Sequence, residues 1–167
     1  LLDTRFLEKP AYAVEQSRQV AAVMADKSRA AMDLAMELLQ NFDESKAEQV
    51  AQMETDVDRF EDELGTYLVK LSSKQLSNKD SETLNTILHC IGDFERISDH
   101  ARNVKEAAQE MYDKKLDFSE KAQDELKVFE RAVHDILDIT MNSFINGDLN
   151  LARQVEPLEE VIDGLSL

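Results

Sequence analysis

Three stretches of the chain share one acidic spacing. Glu54/Asp58, Glu95/Asp99 and Glu159/Asp163 each put a glutamate four residues ahead of an aspartate. On a helix this stacks both carboxylates on one face, a turn apart, where they repel unless a cation, an arginine or water lies between them. Carboxylates from adjacent helices that converge on one flank would offer oxygen ligands suited to Mg, Ca, Mn or Fe. Asp93, Glu61 and Asp62 stand nearby as second-rank donors. Arg59, Arg96 and Arg102 sit beside the pairs and read as surface salt-bridge partners, with contact to a bound anion as the minority reading.

Spacing alone is weak evidence in so acidic a chain. Glu120/Asp124 has it too, in the first turns of a helix, where the helix dipole favours acids, and reads as structural. Position relative to the apolar seam is more selective. Glu54, Glu95 and Glu159 directly follow Met53, Phe94 and Leu158 of one seam column. Asp58, Asp99 and Asp163 directly follow Val57, Ser98 and Ile162 of the other. Each pair therefore flanks its seam on the same side. Flanks are also where solvated charge normally goes, so a metal-free acidic flank stands beside the cation site as an alternative.

Other chemistries find little support. His89, His100 and His134 share no zinc-like spacing, and Glu130 and His134 are one residue too far apart for the Glu-x-x-His of di-iron helical enzymes. There is no nucleophile constellation, glycine-rich phosphate loop or cysteine cluster, so an enzyme is not expected. Cys90, the lone cysteine, excludes an internal disulfide and points weakly to a reducing compartment. A net charge of -16 and a pI near 4.5 argue against binding to nucleic acid or an anionic membrane.

The elements that must carry these acids are helical. Four glycines and two prolines in 167 residues leave few turn signals, and good helix formers dominate. Pro10 suits a helix start, and helix 1 runs to about Gln40 on Val14, Ala21, Met24, Ala31, Ala35 and Leu38. Asp43 is a plausible cap for helix 2, whose columns are Val50, Val57, Leu64, Leu71 and Met53, Phe60, Tyr67. Residues 72–79 break the pattern. Asp80 or Ser81 should cap helix 3, which runs to about Lys114. Ser119 should cap helix 4, with Leu126, Phe129, Val133, Ile136 and Phe144 on its seam and a stop at Asn146-Gly147. A fifth helix is expected from near Asp148 or Asn150. No apolar run is long enough to span a membrane.

A repeat underlies this order. Residues 47–58 align with 152–163, matching Ala, Gln, Val, Glu and Asp at 47, 49, 50, 54 and 58. The same register lays helix 1 on helix 4, with Asp33 on Asp138 and Ala31 on Ile136. Pro157 replaces Gln52, so helix 5 either kinks or begins there. The expected fold is all-α: an antiparallel three-helix bundle at 10–115, preceded by a lead at 1–9, then a partial second bundle at 116–167. Helices 4 and 5 lack a third helix to cover Val133, Ile136, Phe144, Val155 and Ile162, which predicts a homodimer.

The stretch Asp-Phe-Glu-Arg-Ile-Ser-Asp-His-Ala-Arg-Asn at 93–103 closely resembles the PhoU family signature Asp-Leu-Glu-Arg-Ile-Gly-Asp-His-Ala. Ser98 stands in place of that glycine. Met53 to Glu63 is similar to the family's other helix motif. The resemblance implies a regulator of phosphate uptake and signalling, two three-helix bundles related by duplication, and multinuclear iron or zinc clusters held by Glu/Asp-x-x-x-Asp motifs. It implies metal ligands at Glu54, Asp58, Glu95 and Asp99, and at Glu159 and Asp163 in a second bundle without its last helix.

The opening Leu-Asp-Thr-Arg-Phe-Leu-Glu-Lys-Pro-Ala-Tyr-Ala, and Tyr67 to Ser72, resemble bacterial sodium/phosphate cotransporter-family proteins, in which a PhoU-like domain follows the membrane part. The chain starts at Leu1 rather than Met, which points to an excised or processed piece. The resemblance implies a cytoplasmic domain at the inner face of the plasma membrane, with the transporter's membrane domain as partner. Phosphate, repelled by the negative surface, would bind through metal. The alternative is a metal-free helical interaction module.

Overall fold

The computed structural model describes residues 2–146. They are helical throughout, with no strand among them: a short 3-10 helix at Thr4–Glu8, then α1 (Pro10–Gln40), α2 (Glu44–Ser72), α3 (Asn78–Lys114) and α4 (Glu120–Asn146). Short turns make α1, α2 and α3 an up-down-up bundle. The expected fifth helix and the Gly147 stop lie outside the described residues.

Local chemistry explains the boundaries. Pro10 opens α1 at a position whose N–H would have no intrahelical partner anyway. Asp43 caps α2 by accepting from the N–H groups of Ser45 and Lys46. The cap of α3 is Ser77, earlier than the expected Asp80 or Ser81. Its Oγ accepts from Asp80 N at 3.1 Å, which makes Asp80 a first-turn acid rather than the cap. Lys115 closes α3 in the left-handed region, at φ 54°. Ser119 Oγ accepts from Ala122 N at the start of α4.

The core forms two clusters stacked along the bundle. One joins the first half of α1 to the second half of α2 and the start of α3, around Met24, Leu64, Leu68 and Ile87. The lead is not a loose tether. Leu7 enters this cluster, and Tyr67 Oη donates to the Asp3 carbonyl at 3.0 Å. The second cluster joins the later half of α1 to Ala47 and Val50 of α2, Ile97 to Ala108 of α3, and α4.

The placement of α4 corrects one expectation. Val133 and Ile136 are buried rather than exposed, along with Phe129 and Leu137. They pack on α1, where Ala31 and Ala35 bring no bulk and allow close approach. Polar ties follow the same seam. Arg29 Nη1 lies 2.6 Å from Asp138 Oδ1, and His134 Nε2 lies 3.0 Å from Asp33 Oδ1. These two residues therefore give no uncovered surface. Phe144, Val155 and Ile162 belong to side chains outside those described.

Candidate functional site

The acidic pairs lie where the two core clusters meet. Val57 and Phe94 belong to one cluster, Val50 and Ile97 to the other, and the carboxylates flank this junction on the outer edge of α2 and α3. The register of α3 is pinned here. Phe94 is fully buried, and the Ser28 hydroxyl of α1 lies 3.0 Å from the Phe94 carbonyl oxygen and 3.1 Å from that of Met24. Sequence reasoning missed Ser28, a small polar residue on an otherwise apolar α1 face. Ser98 follows one turn after Phe94. It is fully buried, and its Oγ has no hydrogen-bond partner among the described residues.

The four expected ligands divide unequally. Asp58, Glu95 and Asp99 each place a carboxylate oxygen within 4.8 Å of the other two. Glu54 lies beside them, but it is held by Arg102: Nη1 donates to Glu54 Oε1 at 2.6 Å and lies 4.0 Å from Asp99 Oδ1. The Glu54 side chain is only 12% exposed, so this pair is more than a solvated surface bridge. Arg102 is thus the salt-bridge partner expected from its place three residues after Asp99, one turn along the same face, though its partner Glu54 is more enclosed than a surface acid. Arg59 pairs loosely with Glu63 instead, at 3.9 Å. Asp93, a second-rank donor, is buried and not part of the three-acid group. Glu159 and Asp163 lie outside the described residues.

Electrostatics follow from this crowding. Burial, a hydrogen bond with Asp99 and the charges of Asp99, Glu61 and Asp58 push the Glu95 carboxyl up to about 7. Asp58 is raised by burial and then by Asp99. Glu61 is raised by burial and then by Asp62, Asp58 and Asp99. Glu54 is also raised, burial outweighing the opposing pull of Arg102. Burial leads every one of these shifts, and neighbouring acids add to it. Arg102 answers Glu54 closely and Asp99 at the limit of an ion pair.

An all-oxygen donor set from two helices, lacking cation charge, fits a hard or borderline divalent ion.

The PhoU domain matches residues 22–108, which spans α1 from its fourth turn onward, all of α2 and nearly all of α3. No curated protein and no solved structure matches the chain. The match covers over half of the sequence and includes both acidic motifs of the described bundle, and on that ground the chain belongs to the PhoU family.

Proposed function

We propose that this chain is a regulatory domain of phosphate homeostasis that works by holding divalent cations on the α2–α3 edge. The observation that carries this reading is the convergence of Asp58, Glu95 and Asp99 within 4.8 Å, inside the stretch that the PhoU domain matches. Those three residues would hold the ion, with Glu54 joining if Arg102 yields; Glu159 and Asp163 would serve the same role in the second bundle. The ion is iron or zinc, singly or as a cluster, or another divalent cation. Bound there, it would supply the positive charge that a surface of net charge -16 lacks, so that phosphate could dock on metal rather than on protein.

Residues 116–167 are read as the start of a second bundle, whose first helix packs on its counterpart. Support comes from α4 lying against α1, with the repeat-equivalent Asp33 and Asp138 both beside Arg29, at 3.9 and 2.6 Å. The opening residues and Tyr67 to Ser72 support placement on the cytoplasmic side of a sodium/phosphate cotransporter-family protein, with its membrane domain as partner. The role is regulatory rather than enzymatic, and the working form is a homodimer.

A metal-free interaction module is the second reading. The Arg102–Glu54 pair favours it, because it supplies part of the counter-charge from within the protein. Phosphate titration before and after chelation separates the two. The metal reading expects phosphate binding that chelation abolishes. Binding undiminished by chelation, or none with metal loaded, contradicts it.

A further inference from the structure

Gly65 and Gly92 lie inside α2 and α3, where glycine is the poorest helix former after proline. Packing among the described residues gives no reason for either. A Cβ at Gly92 would meet nothing within 4 Å, and one at Gly65 would meet only Ile91 Cδ1, at an ordinary 3.8 Å. Both line one open groove of about 560 Å³ between α2 and α3. Its walls carry Leu88, Ile91 and Val69, and Val69 is 63% exposed. Beside the exposed Val69 and the half-buried Leu88, glycines that the described residues do not need are explained by a backbone approaching from outside. The opposite side of the bundle is already taken, since α4 packs on α1.

The order of side chains along α2 identifies the occupant. The stripe facing the groove runs from acidic (Glu61, Asp62) through small (Gly65, Thr66) to apolar and basic (Val69, Lys70). Reversed about the point between Gly65 and Thr66, it matches itself at its ends and its centre, while Asp62 falls opposite Val69. Glu61 of one copy meets Lys70 of the other, and Gly65 meets Thr66, so the two helices can cross closely at their smallest residues. A parallel pairing would instead set acid against acid. Self-complementarity on reversal is the signature of a two-fold interface, in which each contact occurs twice.

We propose that the α2–α3 groove is the contact surface of a homodimer, with α2 of one copy seated antiparallel on α2 of the other. This rests on the homodimer reading above and gives it a surface. Charge at Lys70 and space at Gly92 set the affinity. Sedimentation equilibrium at micromolar concentration tests it on the wild-type chain, Gly92→Leu, Lys70→Glu, and Glu61→Lys combined with Lys70→Glu. Circular dichroism confirms that each variant keeps its helix content. The wild type should sediment as a dimer, each single variant should weaken association by about tenfold or more, and the double charge exchange should recover most of the loss. A dimer indifferent to both single variants overturns this surface and leaves the homodimer reading standing. A double exchange that fails to recover overturns the antiparallel register. A wild-type monomer overturns both surface and reading.

Discussion

Arg102 of α3 reaches across to α2 and donates to Glu54 at 2.6 Å, while Asp99, one turn before it, lies 4.0 Å away. One guanidinium thus sits close against Glu54 and reaches Asp99 only at its limit, beside the close group of Asp58, Glu95 and Asp99. On the proposed function, Asp58, Glu95 and Asp99 would hold the cation, while Glu54 pairs with Arg102.

Replacing Arg102 with Gln should therefore act in opposite directions on fold and site. The metal-free protein should lose about 1 kcal/mol, because Glu54, only 12% exposed, is left without its charged donor while Arg102 itself is partly solvated. Cation affinity should rise, since Glu54 becomes free to ligate and a competing positive charge is gone. Urea unfolding and metal titration of the same variant check both arms.

The metal-free bundle should become less stable as pH rises from acid to neutral. Glu95 has its carboxyl raised above the ordinary range, to about 7, so the folded state takes up a proton more readily than the unfolded chain. That contribution is fully present below about pH 4.5, the ordinary glutamate range, and is lost as pH passes through about 7. Glu54, Asp58 and Glu61 shift in the same direction. Glu95→Gln should flatten the profile measured by thermal unfolding in chelator, and saturating divalent cation should do the same to the wild type.

Ser98 offers a gain. Its hydroxyl is buried with no partner among the described residues, which costs on the order of 1–3 kcal/mol. Ser98→Ala removes that cost and improves helix propensity, so denaturant unfolding should show about 1 kcal/mol of added stability. Ser98→Gly removes the same hydroxyl but gives back about 1 kcal/mol in helix propensity, and should come out close to wild type.

Lys115 holds a left-handed backbone at φ 54°, a conformation that suits glycine at the end of a helix. Lys115→Gly should stabilise the chain by about 1 kcal/mol without changing metal binding, because the site lies several turns away on α3. Equilibrium unfolding and a parallel metal titration check it.

The parts of this fold that were readable from sequence are those with one-sided burial. Val50, Val57, Leu64 and Leu71 repeat every seven residues because α2 presents one stripe to the core, and all four are fully buried. Burial of α4 was not readable. It depends on a second apolar face of α1, and Ala31 and Ala35 serve that face and the ordinary seam alike. The α3 boundary slipped because Ser77 precedes two polar residues that give no periodicity, whereas Asp80 and Ser81 look like equally good caps. At the site, spacing put each carboxylate pair on one face, but how far α3 is offset along α2 decides which acids converge. The reach of Arg102 decides which one is neutralised. Neither quantity is written in the spacing of a single helix.

On the proposed function, Asp58, Glu95 and Asp99 together bind one divalent cation. The most direct test is calorimetric titration of the chelated protein with Mn, Fe or Zn ions, alongside Asp58→Asn with Asp99→Asn. The account predicts saturable binding by the wild type and loss of that binding in the double variant with its helical fold intact. A wild type that takes up none of these ions, or a double variant that binds them as tightly, contradicts it.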